Sequence, residues 1–153
     1  MVDNSENVVR VLFPNKVLHG RVMGGAFALR PHRAEDSVSV FRVSGPTFCN
    51  DIKSLDKGRN LECSVMKVAA IRDVRFEHDS NSSRCDVVES ADIKLSSHAG
   101  IVTYINNQQL IGGCEAAIEI VQGTTLDVIV LAVQHRLALI AQRGLTHVNK
   151  LLY

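Results

Sequence analysis

The stretch 124–144, TTLDVIVLAVQHRLALIAQRG, decides which kind of fold this chain can adopt. Thr124 followed three residues later by Asp127 is a helix start of the capping-box type, with Asp in place of the usual Glu or Gln. Gly144 stands where a left-handed C-terminal cap belongs, one residue after Arg143, whose charge suits the negative end of the helix dipole. At 100° per residue, Leu126, Ile129, Val130, Val133, Leu137, Ile140 and Ala141 fall on one apolar arc. Val128, Leu131 and Leu139 add apolar groups outside that arc, and Gln134, His135, Arg136 and Gln142 form a broken polar strip. A helix with this much apolar surface is either the central core helix or one with one face in the core and another on a partner.

Upstream of it the period changes to two. Residues 8–13 (VVRVLF) set Val9, Val11 and Phe13 on one face and Arg10 on the other, and Pro14-Asn15 ends the strand. A second strand is expected over 17–23 with Gly20 as a bulge, then extended chain over 26–30 and a strand over 38–43 (VSVFRV). Residues 47–60 carry Ile52 and Leu55 at helical spacing. Strands follow around 64–71, 74–77, 87–88 and 91–95, with 78–84 a loop by composition, and 98–105 (HAGIVTYI) alternates most clearly of all. A second helical pattern spans 110–122. Strands first and helices last predict an α+β fold, a mostly antiparallel sheet followed by two C-terminal helices packed on one face. One domain over 1–153 is expected, with 1–7 frayed.

Composition bounds the function. A chain of 153 residues with 46% apolar and 22% charged residues can bury its own core. A net charge of +1 gives no global pull toward nucleic acid or anionic lipid, although 10–42 holds six Lys or Arg against Glu35 and Asp36. The longest apolar run, 128–133, is far short of a membrane span. The first residues lack the basic start and apolar core of a secretion signal, and the four cysteines, Cys49, Cys63, Cys85 and Cys114, form no CxxC pair. The expected setting is the cytoplasm, with reduced, structural thiols. Neither HxxxH nor CxxC is present, so no metal is expected, and no cofactor motif such as a Walker loop, GxGxxG or a GxSxG elbow occurs.

Two groups of residues could carry chemistry. Arg21, Arg30 and Arg33, with His19 beside them, could hold phosphate or carboxylate through planar guanidinium forks. The same letters also describe a solvated basic rim. His98, flanked by small residues in Ser96-Ser97-His98-Ala99-Gly100, is open to a ligand and could move protons near neutral pH. A histidine hydrogen-bonded at a strand start explains it equally.

Three pieces, 25–31 (GAFALRP), 36–40 (DSVSV) and 97–101 (SHAGI), together resemble a set of small standalone bacterial proteins without an assigned activity. The resemblance covers the first 105 residues, has no counterpart for the long helical end, and transfers no catalytic residue. It implies a bacterial protein.

The leading expectation is a non-enzymatic binding or adaptor protein acting through a protein partner or as a homo-oligomer, such as one half of a toxin-neutraliser pair. Val128, Leu131 and Leu139 are its interface residues. The rival is a small enzyme acting on a nucleotide or other phosphorylated substrate, with Arg21, Arg30 and Arg33 holding phosphate and His98 or His19 handling protons. The third reading is non-specific nucleic-acid binding through the N-terminal basic stretch, which would be steeply salt-sensitive.

Overall fold

The computed structural model describes residues 1–90, 97–120 and 125–153. Alternation in β1 (Asn7–Leu12) defines two apolar faces, because both sets of its side chains are buried. Val8 and Leu12 join one hydrophobic cluster, Val9 and Val11 another. Burial of both faces requires cover above and below the sheet, and β1 pairs antiparallel with β4 (Val38–Arg42) on one side and β5 (Glu62–Lys67) on the other. From β4 the sheet continues through β8 (His98–Ile105) and β7 (Asn81–Glu89) to β6 (Arg75–His78). The short β10 (Leu145–His147) closes the β5 edge, and β9 (Gln108–Gln109) pairs with β8. Among the described residues every pairing in the sheet is antiparallel.

The long helix α3 (Leu126–Arg143) covers the face carrying Val8, Val40, Met66 and Ile101. It buries Ile129, Val133, Leu137, Ala138 and Ala141, nearly the arc that periodicity picks out. Fully burying a side chain of the Val–Leu class stabilises by about 1.5–3 kcal/mol, so this face holds the helix in place. Its polar strip also works. Gln142 accepts from the Val22 amide (2.7 Å) and donates to the Gly20 carbonyl (2.9 Å), tying down the hairpin of β2 (Val17–Leu18) and β3 (Arg21–Val22). Arg136 donates to the Arg75 carbonyl and lies over the Phe76 ring.

The α+β class stands, with a large antiparallel sheet and C-terminal helices. The second of these helices is α4 (Val148–Leu152), not the pattern at 110–122, and it lies on the opposite face from α3. There Val9, Val11, Phe41 and Cys63 also need cover, and α1 (Phe48–Asp56) supplies it together with Val148 of α4. Residues 110–120 hold only a 3-10 turn, Glu115–Ala117. Gly112 lies against the Arg30 carbonyl and its amide bonds to the Glu35 carbonyl (2.8 Å), which keeps this segment out of a helix. The expected cap at Thr124 and the expected strand over 91–95 fall outside the described residues, and Thr125, which precedes α3, makes no side-chain cap bond.

Other local expectations change for definite reasons. The single strand expected over 17–23 is a hairpin, since His19 (φ 51°) and Gly20 (φ 73°) form a two-residue turn with both φ positive. Asp79 and Ser80 (φ 47° and 68°) turn β6 into β7 in the same way, so 78–84 is not a loop. Residues 26–30 begin in a 3-10 turn, Gly24–Phe27, and 68–71 belong to α2 (Val68–Arg72). Gly144 is not a left-handed cap: its φ is −104°. Glycine is required because a Cβ there would fall on the Val65 carbonyl, 2.9 Å from the carbon.

Residues 1–7, expected to fray, are tied to the sheet. Val2 is 2% exposed, and Arg72 holds the Val2 carbonyl (2.8 Å), Asn4 (2.7 Å) and Asp86 (2.7 Å) together. Glu6 receives Arg42 through two bonds, Nε to Oε1 at 2.8 Å and Nη2 to Oε2 at 3.0 Å. The Asp3 amide and the Ser44 hydroxyl complete its shell, and Arg42 above all holds its carboxyl down to about 2.

Candidate functional site

A cleft of about 350 Å³ opens where the sheet parts. β1 and β4 pair only at Val8–Arg42 and Val9–Phe41; beyond Val9, β1 follows β5 while β4 follows β8. Arg10 fills the parting. Its Nη1 donates to the Ser39 carbonyl (2.9 Å), and Nη2 and Nε donate to the Ala26 carbonyl (3.0 and 3.3 Å). One of these carbonyls lies on β4 and the other in the 3-10 turn Gly24–Phe27, so Arg10 ties that turn to the strand. Among the described residues Arg10 has no ion pair, and burial pulls its pKa down to about 10. Glu35 is near enough to favour the charge, but it is bonded to Arg30 through the Arg30 amide (2.7 Å) and Nη2 (2.9 Å), which holds the Glu35 carboxyl below its ordinary range.

His98 and Arg30, two of the sequence candidates, line this one cleft, with Lys16, Phe13, Phe41 and Leu55. His98 stands opposite Phe41 in the β4–β8 ladder, its ring 5.5 Å from the phenyl centroid. Behind it is Asp51, 5% exposed, which accepts from Ser97 Oγ (2.5 Å), the Ser97 amide (3.2 Å) and Thr47 Oγ1 (2.7 Å). Desolvation opposes the Asp51 charge, but these bonds outweigh it and the carboxyl sits below its ordinary value, with His98 adding a small favourable field. Ser97, His98 and Asp51 are not a nucleophilic triad. The serine donates to the aspartate and is completely buried, so no substrate reaches Oγ.

The other candidates lie elsewhere. His19 and Arg21 line a groove of about 520 Å³ between the β2–β3 hairpin and α3, with Met23, His135 and Leu139. Arg33 is exposed in the 3-10 turn Pro31–Arg33 and lines neither space. Arg21, Arg30 and Arg33 therefore do not form one pocket. The three residues expected at an interface, Val128, Leu131 and Leu139, are 44%, 63% and 52% exposed. They span about 80° of helix surface directly opposite the buried arc. Met23 (40%) and Leu18 (56%), from the neighbouring hairpin, are also exposed.

A third space of about 270 Å³ lies between α3 and the sheet, lined by apolar groups such as Phe27, Ile101, Val133 and Leu137 together with Glu115 and Asp127. No group of three or more His, Cys, Asp or Glu among the described residues is arranged to hold a metal ion. Burial pushes the Cys63 and Cys85 thiols up to about 11, so neither is a reactive thiolate near neutrality. No helix among the described residues is long and apolar enough to cross a membrane.

Sequence reasoning missed Arg10, Glu35 and Asp51. Arg10 was visible as the one charge inside a β-run of apolar residues, a position where a guanidinium must find carbonyls or an anion. Nothing local marked Asp51, whose partner Ser97 is 46 residues away. Compared with protein-family models, curated proteins and solved structures, the chain matches none.

Proposed function

We propose that this chain is a non-enzymatic binding protein that works by protein association over the outer face of α3, with a second copy of itself as the partner. One observation carries the reading: Val128, Leu131 and Leu139 form an exposed apolar stripe on a helix whose opposite face is already buried in the core. Exposed large apolar residues grouped on one surface, unlike scattered ones, mark interaction sites. A twofold axis perpendicular to α3 would lay the helix antiparallel on its copy, setting the positive end of each helix dipole against the negative end of the other. Sedimentation equilibrium of the purified chain and of the double variant L131E/L139E tests it. The expected result is concentration-dependent dimerisation of the native chain and a monomeric variant with an unchanged melting temperature. A native chain that stays monomeric throughout overturns self-association. A cytoplasmic bacterial toxin-neutraliser pair is the heterologous form of the same idea, in which the stripe binds a different protein.

A second reading, a small enzyme acting on a phosphorylated substrate, has one observation in its favour: His98 and Arg30 line the same cleft. Turnover of aryl phosphates by the native chain that is lost in H98Q would support it, and no turnover would remove it.

A further inference from the structure

We propose that the cleft at the parting of β1 and β4 is a binding site for a small organic anion, a carboxylate or phosphate monoester on a flat apolar body, with Arg10 as its principal anchor. The argument starts from charge. Arg10 places a guanidinium inside the sheet, and among the described residues its hydrogen bonds go to the Ala26 and Ser39 carbonyls, with no ion pair and only the field of Glu35 in its favour. Carbonyls solvate a cation without neutralising it, and a buried charge without a counter-ion is unfavourable. Three of the five N–H groups are used, which leaves one on each terminal nitrogen, and the residue keeps part of its surface open on the cleft it lines. Two such N–H groups suit an anion with two oxygens on one centre.

The rest of the lining agrees. Arg30 and Lys16 add positive charge, and Glu35, the carboxylate among the lining residues, is engaged by Arg30. Arg10, Arg30 and Lys16 face Glu35, three cations against one acid and an excess of two positive charges before His98 is counted. Phe13, Phe41 and Leu55 give the same space an apolar wall. Bare inorganic phosphate would use only the charge; an aryl or similarly flat body would use both. Burial depresses the Arg10 pKa, and an anion bound beside it would relieve that penalty.

Isothermal titration at constant ionic strength tests the site with benzoate and phenyl phosphate, against benzamide and inorganic phosphate. For ligands this small a Kd on the order of a millimolar is expected. Saturable one-to-one binding of benzoate or phenyl phosphate is predicted, at least tenfold tighter than benzamide and inorganic phosphate. Whichever of the two aryl anions binds more tightly identifies the head group. R10M should abolish binding and R33A, outside the cleft, should leave it unchanged. Should R10M fail to fold, A28E, which places a carboxylate in the cleft from an exposed position, should also abolish binding, and the Arg10 Nε–H resonance should shift on titration into the native chain. Benzamide binding as well as benzoate, no binding of either aryl anion, or full binding by A28E would overturn the proposal.

Discussion

Replacing Glu6 by Gln removes the charge that ties the first residues to the middle of the sheet. Glu6 side-chain oxygens take two of the three Arg42 nitrogens at 2.8 and 3.0 Å, and the side chains are only 12% and 22% exposed. Its pKa falls from 4.5 to about 2, and a shift of that size corresponds to about 3 kcal/mol of stabilisation at neutral pH. Residual exposure, together with the hydrogen bonds a Gln retains, brings the expected loss in E6Q to roughly 2 kcal/mol. Because the folded pKa is the lower one, the contribution is complete above 4.5 and disappears as pH falls through about 2. Urea denaturation followed by circular dichroism, on both proteins from pH 7 to pH 2, measures it. The gap between native and E6Q should be roughly 2 kcal/mol at pH 7 and close to zero at the acid end. A gap below about 0.5 kcal/mol at pH 7, or one constant with pH, would refute the assignment of this pair as a buried tie.

Further outcomes follow from packing and hydrogen bonding. Gly144→Ala should cost at least about 3 kcal/mol by chemical denaturation, because the new Cβ meets Val65 backbone that is bonded to Gly144 itself and cannot yield cheaply. A loss under about 1 kcal/mol would show that α3 can slide on β5. Asp51→Asn should lower stability by roughly 2 kcal/mol, since it removes a charged acceptor of three bonds at the start of β8. In D51N the His98 resonances should shift as well, and unchanged spectra there would separate Asp51 from the cleft. Iodoacetamide should modify exposed Cys49 and Cys114 in the folded chain and spare Cys63 and Cys85 until unfolding.

What the sequence made legible is what local periodicity encodes. The seven-residue arc of α3 and the alternation of β1, β4 and β8 give the main helix, three adjacent strands of the sheet and the α+β class. Short turns were harder. Pairs such as His19-Gly20 and Asp79-Ser80 reverse the chain through positive φ, and neither dipeptide announces a hairpin as Asn-Gly does. The second C-terminal helix differs from expectation because Ala116, Ala117, Ile120 and Val121 mimic a helical stripe in the sequence, whereas the bond from Gly112 to Glu35, distant in sequence, keeps 110–120 out of a helix. The candidate cleft was half visible for the same reason. His98 and Arg30 could each be named from their neighbours, but their meeting depends on where β1 leaves β4, a property of the sheet that no single strand records.

If two copies meet over the outer face of α3, a cysteine in the middle of the stripe on one copy lies close to its counterpart on the other. H135C is made in a chain whose exposed Cys49 and Cys114 are Ser, and a control carries its cysteine at exposed Lys57 instead. Under mild oxidation H135C is predicted to form a disulfide-linked dimer far faster than the Lys57 control, with L131E/L139E suppressing it. Equal, slow cross-linking at both positions would rule out association over the outer face of α3.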